Sequence, residues 1–224
     1  MGSPGNERYN AFVEFENRLL EHKSLYFNNF SFPYVRQSDI EWKLIGPFDN
    51  KGKTETVFHP EATSFTDTVQ LKNYPSVFGG TIWLRHFWSP MIGSHLDNQK
   101  DSSTYYAIGK IWSNEAGVKN FWIGFNNISR SPATNSPPVG GWDDKGSAVW
   151  VNGQLISPSK WKRGGRKGDS EIPLIDEGYE YREPTKIFLN KGWNTVLIKA
   201  PVGTFKGEWQ NPVKWMFTFV EVID

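Results

Sequence analysis

Two adjacent carboxylate pairs, Asp143-Asp144 and Asp176-Glu177, are the residues of this chain whose types and spacing come nearest to a chemical constellation. Paired carboxylates serve glycosidic-bond hydrolysis, where one protonates the leaving oxygen and the other acts from the opposite side of the sugar. Neither pair stands in a fitting context. Asp176-Glu177-Gly178 follows Leu174-Ile175 in a polar stretch with no His or Gly-Gly before it, which is the composition of a turn. Asp143-Asp144 lies between Trp142 and Lys145-Gly146, just ahead of a strand starting at Ala148, and also reads as a turn. Its functional alternative is contact with calcium or with sugar hydroxyls, because hard oxygen ligands suit both. His22, His59, His86 and His95 form no His-x3-His pair, and His86 reads as a hydrogen-bonded histidine in a strand. No serine has a Gly-x-Ser-x-Gly setting, and the glycine-rich run from Arg163 to Gly168 does not join a strand to a helix as a phosphate-binding loop does. The residues therefore predict a protein with no catalytic site, cofactor or metal of its own.

Composition narrows the partners. The chain has no cysteine, so disulfides, thiolate zinc sites and cysteine nucleophiles are excluded. A formal net charge of +1 gives no global attraction to nucleic acid or to a membrane surface. The local basic run Lys160, Lys162, Arg163, Arg166 and Lys167 is interleaved with glycines and reads as a solvated loop. No apolar run approaches the roughly 18 residues that a membrane helix needs, and the start lacks an apolar signal segment, so the expectation is a cytosolic protein or a piece of a longer chain. Eleven tryptophans exceed an ordinary core's demand. Most tryptophans in strands are expected to fill a thick core, while those in loops beside Asp or Lys offer stacking faces for sugar rings. On that reasoning Trp142, Asp143, Asp144, Trp161 and Trp209 are the candidate carbohydrate contacts.

The elements that must position these residues are mostly strands. Residues 8–27 carry one amphipathic helix, with Phe12, Phe15, Leu19 and Tyr26 on an aromatic face, ended by Asn28-Asn29 and Phe32-Pro33. Strands are predicted over Glu41–Ile45, Thr81–Trp88, Tyr105–Ser113, Asn120–Phe125, Ala148–Val151, Lys186–Leu189, Thr195–Ala200 and Lys214–Val222. That number of strands fits a β-sandwich of jelly-roll or galactose-binding type. The change of grammar near Asp39 divides the chain into a linker and helix over 1–38 and a sandwich over 39–224. Within the sandwich, Val149 and Val151 alternate with Trp150, Asn152-Gly153 suits a tight hairpin turn, and Gly192 can open the strand in which Val196 and Ile198 alternate with Leu197.

An ordered series of motifs carries a family resemblance. The segment AFVEFENRLLEHK at 11–23, FPYVRQ at 32–37, WLRHFW at 83–88, VWVNG at 149–153, KGWN at 191–194 and VKWMFT at 213–218 resembles the C-terminal region of β-N-acetylhexosaminidases of glycoside hydrolase family 20, of the type found in gut Bacteroides. VWVNG alone is a weak signature, and the series ending in VKWMFT is more specific. The resemblance covers nearly all the chain from about residue 7. It implies a noncatalytic accessory sandwich, mainly β, that supports a catalytic (β/α)8 barrel placed before it in an extracytoplasmic enzyme of glycan breakdown. Such barrels use an Asp-Glu pair, Asp orienting the substrate's 2-acetamido group and Glu acting as general acid and base. Neither residue maps onto this sequence. The helix at 8–27 then corresponds to the exit from the barrel, with its aromatic face docked on sandwich or barrel. The alternative is a carbohydrate-binding module holding N-acetylhexosamine glycans through loop tryptophans. No nucleic acid partner and no membrane-spanning segment is expected.

Overall fold

The computed structural model describes residues 10–18 apart from 12 and 16, and residues 40–62, 71–86, 91, 93–125, 140–158, 184–205 and 215–222. Among the described residues, ten strands build two antiparallel sheets: β1 (Glu41–Asp49), β2 (Ser76–Phe78), β3 (Thr81–Arg85), β4 (Ser103–Ser113), β5 (Gly117–Phe125), β6 (Ala148–Val151), β7 (Gln154–Leu155), β8 (Thr185–Leu189), β9 (Gly192–Val202) and β10 (Trp215–Val222). One sheet has six strands in the order β2-β1-β4-β9-β6-β7, and the other has four in the order β3-β10-β5-β8. The protein is a mainly β two-sheet sandwich, as the strand pattern predicts.

Alternation along each strand supplies the core between the sheets. Trp42 and Leu44 of β1, Tyr105 and Ala107 of β4, Val149 and Val151 of β6, and Val196, Ile198 and Ala200 of β9 face Ile82 and Leu84 of β3, Phe121, Ile123 and Phe125 of β5 and Trp215, Phe217 and Phe219 of β10. Trp42 sets its edge against Phe217 at 5.3 Å and Phe219 at 5.9 Å between ring centroids, and donates Nε1–H to the Gly79 carbonyl at 2.9 Å. Both the apolar body and the polar tip of this buried indole are thereby satisfied. Gly109, directly opposite Trp42 in register, makes room for it, since a Cβ there would lie 2.8 Å from the indole ring.

A second apolar cluster lies on the outer face of the six-stranded sheet. Ile45, Tyr106, Ile108 and Leu197 of the sheet pack with Phe58, Leu71 and Tyr74 of the β1–β2 connection. A buried charge fastens this cover. Lys199 of β9 reaches Glu61 of the short helix His59–Ala62 at 2.8 Å and the Thr56 carbonyl at 2.9 Å, while the Tyr106 hydroxyl donates to the same Glu61 carboxylate.

The strands depart from their sequence-based bounds for local reasons. β1 runs on past Gly46-Pro47, a natural stopping point, because a bulge between Ile45 and Phe48 absorbs the break and lets pairing with β4 resume. β2 and β7, of three and two residues, are too short to show a period. Of the predicted helix, residues 10, 11, 13–15, 17 and 18 are helical, with Glu14 and Arg18 paired one turn apart at 3.2 Å. Phe15 of the aromatic face is about half exposed. The rest of 8–27, the basic run within 160–167, Asp176 and Glu177 lie outside the described residues.

Candidate functional site

The topology gives the sandwich two unlike ends. β3, β4, β5, β6, β9 and β10 meet the long connections at one end, while the short turns β4–β5, β6–β7 and β8–β9 gather at the other. Trp142, Asp143 and Asp144 belong to the long-loop end, immediately before β6. The fold turns the first two inward. Trp142 is only 6% exposed and packs against Phe125, with ring centroids 6.0 Å apart. Asp143 organises a turn: Oδ1 accepts from the backbone N–H of Lys145 at 2.9 Å and of Ser147 at 3.0 Å, and Oδ2 accepts from the Ser147 hydroxyl at 2.6 Å. Gly146, at φ 74°, completes the reversal into β6. Asp144 points outward and pairs with Lys145 at 2.7 Å. The turn reading of this segment therefore describes its geometry, and neither face of Trp142 lies open to a sugar. Trp161 and Trp209 lie outside the described residues.

Of the histidines beside β3, His95 serves the backbone and His86 packs on a ring. The backbone N–H of His95 donates to the Trp83 carbonyl at 2.8 Å, while its Nδ1 lies 3.1 Å from both the N–H and the carbonyl of Trp83. The His86 ring rests at 4.9 Å from that of Trp83. Among the described residues, no group of three or more His, Asp or Glu side chains is placed to hold a metal ion.

The short-turn end carries what sequence reasoning missed. β4 and β9 are neighbours in the middle of the six-stranded sheet, and their register sets Trp112 directly opposite Trp193. Both indoles point away from the core, 54% and 65% exposed, with ring centroids 5.4 Å apart and planes at 74°. The β4–β5 turn fixes one ring, because Trp112 Nε1–H donates to Asn114 Oδ1 at 2.9 Å. The start of β9, just past the β8–β9 turn, carries the other between Gly192, at φ 96°, and the fully buried Asn194. One step along the same face, Lys110 and Thr195 are opposite each other. The expectation that strand tryptophans fill the core holds for Trp42 and Trp215 and fails for this pair. Parity was the available signal: with Val196 and Ile198 inward, residues 193, 195 and 197 must face out.

No protein-family profile matches the chain, and no curated protein matches it. Several solved structures share a distant structural likeness, among them these two. One is the β-glucosidase from Kluyveromyces marxianus in complex with glucose, 11% identical, with a TM-score of 0.33 over 83% of this chain and 16% of that one. The other is a family 35 carbohydrate binding module from Clostridium thermocellum, 11% identical, with a TM-score of 0.24 over 52% of this chain and 78% of that one. The chain thus spans a small part of the β-glucosidase, and likenesses this distant carry no argument about a ligand.

Proposed function

We propose that this chain is a noncatalytic accessory β-sandwich of a β-N-acetylhexosaminidase-like glycoside hydrolase, lying C-terminal to a catalytic barrel that it supports. The observation that carries this reading is where the resemblance motifs fall. VWVNG forms β6 and its turn, KGWN opens β9, and the two are joined by a hydrogen bond from Asn152 to Asn194. WLRHFW supplies Leu84 of the core together with the partly exposed Trp83 and Arg85 of β3, and VKWMFT supplies Trp215 and Phe217 of the core. These residues serve as scaffold, which is what an accessory domain needs; of the two candidate carboxylates in the described turn, Asp143 is engaged by backbone and hydroxyl donors and Asp144 by Lys145. An extracytoplasmic location follows from the same reading.

The test is the reading frame that encodes residue 1 and what precedes it. A barrel with an Asp-Glu pair upstream, whose melting temperature falls when residues 39–224 are deleted, is the expected result; a different catalytic module, or a barrel indifferent to the deletion, overturns the proposal. A second reading, a carbohydrate-binding module, is favoured by the outward tryptophans of β4 and β9 rather than by Trp142.

A further inference from the structure

Single exposed hydrophobic residues are ordinary, but two indoles held side by side in solvent are not. Trp112 and Trp193 are also oriented, through the Asn114 hydrogen bond and through their mutual edge-to-face contact. Rings at 74° make a corner: a ring-shaped ligand lies on one indole face while its rim meets the other. Lys110 and Thr195 follow at about 6.7 Å along the strands, the spacing of same-face neighbours. They place an ammonium and a hydroxyl at the edge of the apolar corner.

The size of the corner selects its occupant. With about 250 Å² for a whole indole side chain, the exposed fractions leave about 300 Å² of aromatic surface. A stable protein interface needs about 800 Å² from each partner. A sugar unit or two, apolar on its C–H face and rimmed by hydroxyls, fits both the area and the polar border.

We infer that the short-turn end of the six-stranded sheet binds a pyranose-containing glycan, stacked on Trp112 and Trp193 with its hydroxyls on Lys110 and Thr195. The site stands on this geometry. Only the choice of N-acetylglucosamine oligomers as first probe rests on the hexosaminidase reading above. Titration calorimetry of the full chain with chito-, cello- and xylo-oligosaccharides tests it. Saturable binding that Trp193→Ala weakens about tenfold or more, and Lys110→Glu also weakens, with thermal midpoints unchanged, is the expected result. Binding of cello- or xylo-oligosaccharides with the same variant pattern, and none of chito-oligosaccharides, upholds the site and counts against the hexosaminidase reading. Absence of binding to every oligosaccharide, or binding untouched by both variants, overturns the site. Concentration-dependent self-association abolished by Trp193→Ala overturns it in favour of a contact between copies. Lys110→Glu leaves the aromatic pair in place, so the test survives a poorly folded tryptophan variant.

Discussion

The side chain of Asn152 donates from Nδ2 to Oδ1 of the fully buried Asn194 at 2.7 Å, joining the β6–β7 turn to the start of strand β9. The bond is one of a set. Asn194 Oδ1 also accepts from the Asn190 N–H at 2.8 Å, and its Nδ2 donates to the carbonyls of Asn190 at 2.8 Å and Gly192 at 3.0 Å. Asn152 in turn, at φ 51°, accepts from the Thr195 N–H at 3.0 Å. Asparagine fits both places because its amide offers donors and an acceptor at once and because it tolerates the left-handed region. The lock positions the base of the strand that presents Trp193.

Asn194→Ala is therefore expected to cost about 3 kcal/mol, since several buried backbone groups lose their partner together. Urea denaturation measures the loss. A cost near zero would show that water replaces the amide.

Gly109→Ala places a methyl group 2.8 Å from the Trp42 ring in the centre of the sandwich. The indole is held by Phe217, Phe219 and the Gly79 carbonyl, so it has little room to retreat. A destabilisation of about 1–3 kcal/mol is expected, with a changed near-ultraviolet circular dichroism spectrum.

Glu61→Gln removes the charge partner of the buried Lys199 ammonium and is expected to cost about 3–5 kcal/mol. Replacing both, as Glu61→Leu with Lys199→Met, is expected to recover most of that loss, because no buried charge then remains. Thermal melts of the three proteins separate these outcomes; equal losses in both variants would show that the ammonium does not depend on Glu61.

Burial, together with the adjacent Glu61 carboxylate, pushes the Tyr106 phenol well above its ordinary value. An unfolded tyrosine ionises near pH 10, so above about that pH the unfolded state gives up a proton that the folded state keeps. Tyr106 thus favours the fold fully below about pH 10, and this contribution is lost as pH rises. Comparing the pH dependence of unfolding free energy above pH 10 should show a steeper fall for the wild type than for Tyr106→Phe.

Much of the sandwich was legible because its signals are local. Val149 and Val151 alternate with Trp150, and the Asn-Gly pair takes φ 51° and 79°, so β6 and its turn fall where the residues placed them. The candidate site was not legible by residue type. Trp142 and Trp193 are the same residue beside similar polar neighbours, yet one is buried and the other 65% exposed. Strand parity decides Trp193. Trp142 precedes its strand in a turn without a period, and its burial follows from the end of β5 lying beside it, a long-range fact. Asn194 was hidden likewise: a polar residue at the inward parity of Val196 and Ile198 is tolerable only because the fold returns two turns to its amide.

On the proposed reading this sandwich accompanies hydrolysis without performing it. The direct measurement is turnover of an aryl N-acetyl-β-hexosaminide by the purified chain and by the product of the whole reading frame. Turnover by the longer protein and none by this chain is the expected result; turnover by the chain alone, or none by the longer protein, contradicts the proposed function.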